Sequence, residues 1–330
     1  MKKIILYGCG AYYGQYKSLL PADMEAVAFA DGAMEKQTSA TGNTFEGKPV
    51  LSVEELSHEE FDLVYICTDF KNANEICRDL VKHGIGTDKI RMLCREACGI
   101  GWKYGPTADK KAFLSDIGGI KIQERHRTDF DIVTEIYVEN AYEMKLPFDR
   151  YCVVDMGMNI GAATLFFAGK KEVEKVYSYE PFPDTYQQAM GNISLNPALA
   201  KKITAHNFGL LDGDRKMEVA LCTEETGWRN VFATGGSDRK VEIECRDAAA
   251  ELERVIAECG GARLVLKVDV EGSEFAIFDS LARKTLFEKI DAVVMEYHGD
   301  RELLAGRLAE NGFKIFMPGR KTFGILYAVK

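Results

Sequence analysis

The chain reads as α/β throughout. A Rossmann-like N-terminal unit precedes a second doubly wound, mostly parallel sheet that closes in an antiparallel hairpin. Three observations predict this. Short apolar runs alternate with helical runs along the chain, and that alternation builds parallel sheets. Two such runs, KKIILYGCG and YCVVDMGMNIG, end in glycines ahead of a helical stretch, as the front half of a nucleotide-binding βαβ unit does. The last segment, FKIFMPGRKTFGILYAV, breaks the alternation and turns back through Pro318 and Gly319.

Bulk properties narrow the function classes. The 330 residues leave room for about two domains. Hydrophobic residues make up 46% and charged residues 28%, an ordinary globular balance. The net charge of −9 disfavours wholesale nucleic-acid binding, which needs a basic footprint. No apolar run approaches the ~20 residues of a membrane span, and MKKIILYGCG is interrupted too early for a signal peptide. Nine cysteines, an odd count without framework spacing, suggest reduced thiols in a cytoplasmic protein. Cys94 and Cys98 lack the second pair that a metal site would want.

Residues 1–94 are expected to form the Rossmann-like accessory domain. KKIILYGCG is a strand, followed by Gly8, Gly10 and Gly14 and a helix to Leu20. EAVAFAD ends at Asp31, and KPVLSVEEL gives an edge segment with Ser52 and Glu55 spaced for a capping box. FDLVYICT is a third strand, and NANEICRDLVKHG is a helix closed by Gly84. The glycines either hold a nucleotide, with Asp31 on its ribose, or only make tight turns; their spacing decides neither.

Residues 95–127, glycine-rich and short of apolar pairs, are expected to be a linker. From Thr128, a candidate cap, Ile132, Val133, Ile136 and Tyr137 repeat at helical spacing.

The remaining elements repeat the pattern. YCVVDM is a strand, and Gly157 and Gly161 pass into a helix ending near Gly169. At Gly157 the turn leaves no room for a Cβ, and Gly161 lets the helix start approach a ligand. VYSYEP places Glu180 25 positions after Asp155, near the spacing that puts a carboxylate on a ribose. Pro183 opens the next helix, and KITAHNFGL is strand three. KMEVALCT and KVEIECRD pair around a polar loop with Trp228, Arg229 and Asn230. ARLVLKVDV and DAVVMEYH are strands four and five, each followed by a helix.

Four motifs on these strand ends, DMGMNIG, YEPFP, KVDVEGSE and VVMEYH, come in order over residues 125–330. In this the chain resembles the FkbM family of S-adenosylmethionine-dependent methyltransferases. The resemblance implies a class I methyltransferase sheet of seven strands over residues 128–330 and O-methylation, often of a sugar, glycan or natural-product hydroxyl. Met156 and Met158 stand where that family tends to have smaller apolar residues.

The residues fit such a cofactor. Asp155, Gly157, Asn159 and Gly161 would lie by its amino-acid half. Glu180 would accept from the ribose hydroxyls, with Pro181 and Phe182 beside the adenine. Asn207–Leu211 would border the adenine as well. Strand ends carrying Asp269, Glu271, Glu274, Glu296 and His298 share the crevice. His298 is the first candidate for the base that takes the acceptor's proton, because its intrinsic pKa lies nearest neutrality; Asp269 is the second, with a cofactor role besides. Glu271, Glu296, Trp228 and Arg229 are candidate acceptor contacts. The carboxylates and the imidazole suit a divalent metal, but their spacing does not favour one. Partners are a small-molecule or glycan acceptor, with no nucleic acid and no membrane; homo-oligomerisation stays open. The competing readings are a nicotinamide-linked oxidoreductase and a non-catalytic nucleotide-binding protein, both centred on the N-terminal glycines.

Overall fold

The computed structural model describes residues 1–32, 44–68, 70–93, 103–108, 112–221, 231, 239–318 and 323–330. The chain divides into two compact units, Met1–Phe130 and Asp131–Lys330.

In the first unit, β1 (Lys2–Tyr7), β2 (Met24–Ala30), β3 (Thr44–Phe45), β4 (Lys48–Leu51), β5 (Leu63–Ile66) and β6 (Ile90–Met92) form one sheet in the order β3-β4-β2-β1-β5-β6. All its neighbours are parallel except β3 and β4. Ile4, Leu6, Phe29 and Tyr65 bury one face together with Tyr13 of the helix Ala11–Tyr16. The Ser52–Glu55 capping box forms as expected. The helix Phe70–Lys82 ends at Gly84, whose φ of +86° lets the Ile85 N–H reach back to the Leu80 carbonyl.

Residues 103–124 are not the expected connection. β7 (Lys103–Pro106), β8 (Phe113–Ile117) and β9 (Ile120–Glu124) form an antiparallel meander belonging to the first unit. The cause is local. Phe113, Ser115 and Ile117 alternate inward, and Gly118 and Gly119, both at positive φ, make the two-residue turn that matches strand twist. Cys94 and Cys98 lie outside the described residues.

The helix Arg127–Tyr137 crosses the boundary between the units. Thr128 does not cap it; the helix starts one residue earlier, and the Asp129 carboxylate accepts the N–H groups of Arg125 and His126.

The second unit holds β10 (Tyr151–Met156), β11 (Val173–Tyr179), β12 (Ile203–His206), β13 (Gly209–Leu211), β14 (Arg215–Ala220), β15 (Lys240–Asp247), β16 (Arg263–Val268), β17 (Ala292–His298), β18 (Lys314–Phe316) and β19 (Phe323–Val329). Seven of them run β12-β11-β10-β16-β17-β19-β18. The first five are parallel, and β19 is antiparallel to both its neighbours. This is the seven-stranded, mostly parallel sheet that the resemblance implies, closed by the expected hairpin, of which Gly319 lies outside the described residues.

Strand three is shorter than expected. It stops at His206, and β13 joins a separate small sheet, β13-β15-β14. The break falls at Asn207, whose side-chain N–H donates to the carbonyls of Glu180 and Pro181. The loop with Trp228, Arg229 and Asn230 lies outside the described residues.

The interior of the second unit is built from Cys152, Val154, Leu264, Leu266, Val293 and Met295, packed against helices Ala248–Glu258, Glu274–Arg283 and Arg301–Glu310. Cys67 and Cys77 are buried in the first unit, Cys152 and Cys245 in the second, all as free thiols. Among the described residues no helix is long and apolar enough to cross a membrane.

Candidate active site

The site starts where β10 runs out. Every residue of β10 is buried, because its neighbours β11 and β16 cover it on both edges and helices cover its faces. The chain then turns at Gly157, at φ +85°, where a Cβ would run into the carbonyl oxygen of Asp269. Asn159 and Gly161 are left-handed too, and Gly161 caps the helix Ala162–Gly169. Met156 and Met158 point into the core rather than into the crevice, each 1% exposed.

Asp155 is not at the surface of the crevice. Its carboxylate is fully buried and faces the Lys267 ammonium at 3.1 Å, while the Thr164 hydroxyl donates to it at 2.5 Å. It therefore cannot touch a ligand directly; it organises the turn from below. Lys267 is a residue that the sequence reading passed over. Its ammonium also donates to the Gly157 carbonyl at 2.6 Å and lies 3.5 Å from Asp269.

Glu180 follows β11 and faces the same turn. Its two oxygens accept the N–H groups of Asn159 (2.9 Å) and Phe182 (3.0 Å), so the glycine turn and the second strand end are tied together. Phe182 does not flank the crevice as expected. It is buried with Leu211, Val219 and Ile243 in the core of the small sheet. Pro181 stays half-buried, next to Gly209.

The ends of β16 and β17 bring Asp269, Glu271, Glu274, Glu296 and His298 together, and the helix Arg127–Tyr137 adds Glu135 beside Asp269 and Glu296. The imidazole is held from three sides: Nδ1 is 2.9 Å from Glu274, and Nε2 is 3.4 Å from Glu271 and 3.6 Å from Glu296. Burial would depress the His298 pKa, but the Glu274 hydrogen bond and the surrounding carboxylates outweigh it and raise it above the ordinary histidine range. The shift favours the imidazolium form of His298, in which neither ring nitrogen has a lone pair with which to take a proton. The neighbouring carboxylates are raised as well, and for them burial is the leading cause. Burial, then repulsion from Asp269, pushes Glu296 up; burial pushes Glu271 up to about 7 and Glu135 up to about 7. Asp269 stays tied, accepting from the Tyr142 hydroxyl at 2.9 Å. Donor atoms of Asp269, Glu271 and His298 lie within 4.8 Å of one another.

Residues 155–315 match the model of the family described as methyltransferase FkbM domain, and residues 1–91 match that described as C2185-like, N-terminal. The second unit is an FkbM-family methyltransferase domain. The chain is also similar to Methyltransferase 1 of Beauveria bassiana, 26% identical over 201 residues, a match that spans 55% of this chain and 79% of that protein. Methyltransferase sdnD of Sordaria araneosa is 26% identical over 212 residues, 56% of this chain and 82% of that protein. Among solved structures, the methyltransferase FkbM of Methylobacillus flagellatus aligns over 99% of this chain and 90% of its own, with 15% identity and a TM-score of 0.39.

In this FkbM domain, sequence reasoning missed Lys267, Glu135 and Tyr142. Lys267 had a visible signal, a cation inside the apolar run LVLKV, because a buried lysine demands a carboxylate partner. Glu135 and Tyr142 had none, since each meets the site through tertiary contact alone.

Proposed function

We propose that the protein transfers a methyl group from S-adenosylmethionine to a hydroxyl of a sugar, glycan or natural-product-like small molecule. The observation that carries this reading is the joined pair of strand ends, in which Glu180 holds the glycine turn at the same edge of the parallel sheet as the acidic ends of β16 and β17. The residues fit the cofactor. The Asn159 side-chain oxygen is buried on the turn without a hydrogen-bond partner, so it is free to accept from an ammonium or hydroxyl. Glu180 is a carboxylate at the end of the second strand, the position and chemistry that suit a ribose diol. When bound, S-adenosylmethionine supplies the electrophilic methyl group.

The chain's own residues then supply alignment and a base. Asp155, Lys267 and Glu180 fix the turn, and fixed geometry provides much of the acceleration in a displacement. Glu271, at the mouth of β16, takes the acceptor's proton. A carboxylate lifted to about 7 is a stronger base than an ordinary one and is still largely ionised at slightly alkaline pH. His298 keeps its charge and lies against Glu271 and Glu296, which steadies their ionised forms. With an imidazolium already between the carboxylates, the reading needs no metal: turnover should survive dialysis against EDTA, and a loss restored by Mg²⁺ would replace it with a metal-assisted mechanism.

Calorimetry with S-adenosylhomocysteine tests the cofactor, and a panel of hydroxylated acceptors tests the reaction. Absence of binding at millimolar product would sink the first, and methylation confined to nitrogen acceptors the second.

A further inference from the structure

Lys267 has three ammonium hydrogens and three acceptors around it: the Gly157 carbonyl, Asp155 and Asp269. Its side chain is 2% exposed. Burial alone would lower the Lys267 pKa, but the Asp155 and Asp269 charges outweigh burial and raise it, which favours the ammonium. All donors are therefore spent inside the protein, and none is left for a ligand.

What those three acceptors belong to matters more. Gly157 begins the glycine turn. Asp155 passes the connection through the Thr164 hydroxyl, 2.5 Å away, to Ser178 of β11, 2.9 Å further on. Asp269 begins the acidic turn after β16, and its carboxylate also receives the Tyr142 hydroxyl. One backbone bond, from the Asp269 N–H to the Met156 carbonyl, already joins the two turns at their base.

We propose that Lys267 is a positioning residue: its buried ammonium sets the gap between the glycine turn that receives the methyl donor and the acidic turn that receives the acceptor. The inference rests on the S-adenosylmethionine reading above. It makes Lys267 a determinant of cofactor affinity and of reaction geometry without any contact to either substrate. Arginine cannot replace it, because a planar, larger guanidinium does not meet three acceptors arranged around one nitrogen.

The test compares four proteins: native, Lys267→Met, Lys267→Arg and the double variant Lys267→Met/Asp155→Asn. Lys267→Met alone leaves Asp155 as a buried unpaired carboxylate, which destabilises the fold for reasons unrelated to positioning. The double variant removes that charge and keeps the shape of the aspartate. Thermal melting and calorimetric titration with S-adenosylhomocysteine are read together. The expected result is a double variant that melts within a few degrees of native yet binds the product at least tenfold more weakly, with no recovery in Lys267→Arg. Native-like affinity in the double variant, or recovery of affinity in Lys267→Arg, overturns the proposal. So does a double variant that fails to fold, because Lys267 would then hold up the fold rather than set the gap. A native protein that binds no product rejects the cofactor reading itself, and the melting curves separate that outcome from the others.

Discussion

The two units each contain a strand, a glycine turn and a helix, and the turns share a device. In the first unit the Cys9 N–H donates to Asp31, which follows β2; in the second the Asn159 N–H donates to Glu180, which follows β11. Each turn also has one glycine pressed against the next parallel strand. A Cβ on Gly8 would come 2.7 Å from the Cys67 carbonyl oxygen, and one on Gly157 would strike that of Asp269. The difference lies in that neighbouring strand. β5 is LVYI followed by Cys67, whereas β16 carries Lys267 next to its last residue, Val268, and runs straight into Asp269. A glycine turn and an acidic strand end make a receptacle, and the residues across the strand boundary decide whether chemistry can follow. The FkbM match falls on the second turn, and the first lies in a region matched by a different family.

Four experiments would break or sharpen this contrast. The largest effect is expected at Glu271. A protonated carboxyl cannot accept a proton, so native turnover should rise as pH increases through about 7, the value to which burial lifts this group. Glu271→Gln should lower turnover by roughly 10²–10⁴-fold and erase that rise in a pH–rate profile. A profile unchanged in the variant would return the base role to another group.

Gly157→Ala comes next. Left-handed backbone costs a non-glycine residue about 1–3 kcal/mol, and the clash with Asp269 adds to it, so binding of S-adenosylhomocysteine should be lost and the melting temperature should fall. Gly8→Ala, at φ +111°, should lower melting as well but leave product affinity alone. If calorimetry shows that it abolishes binding, the first unit is part of the cofactor site.

Glu180→Gln removes a charged acceptor from two backbone N–H groups. Hydrogen bonds to charged groups are worth about 1.5–3 kcal/mol, which corresponds to roughly 10–150-fold in product affinity. Asp31→Asn should change it by less than a factor of two, and fluorescence titration with dinucleotides on the same variant asks whether the first turn has a ligand of its own. The smallest effect is expected at Gly10 and Gly14, where an added Cβ meets nothing within 4 Å. Alanine at either should shift stability by no more than about 0.5 kcal/mol in chemical denaturation.

Much of the fold was legible because its signals are local. Apolar runs such as CVVDM and AVVMEYH specify buried parallel strands wherever they sit, and Ser52 with Glu55 announces a helix start within four residues. The closing hairpin was visible for the same reason. The meander at residues 103–124 was missed through a signal that was also local, the Gly118–Gly119 pair inside an alternating stretch. The break after His206 was not local: it depends on Asn207 bonding to a strand end 27 positions away. The site divides along the same line. Gly157, Glu180, Asp269 and Glu271 could be picked out from their places at strand ends. The demotion of Asp155 and Phe182 to the interior could not, because burial of a side chain depends on what packs above it. Nor could the upward shift of His298, which arises from carboxylates on another segment: Glu271 and Glu274 follow β16, whereas the imidazole ends β17.

The buried thiols give the two units separate clocks. Cys67 and Cys77 are sealed in one, and Cys152 and Cys245 in the other. Burial raises Cys77 to about 12 and Cys245 to about 11, so neither is a nucleophile until its surroundings open. A disulfide-exchange reagent applied to the native chain should therefore label each pair only as fast as its own unit unfolds, and peptide mapping of the labelled cysteines would time the opening of each unit within a single molecule. A cofactor that binds the second unit would slow the labelling of Cys152 and Cys245 in proportion to its affinity and leave Cys67 and Cys77 ticking at their original rate.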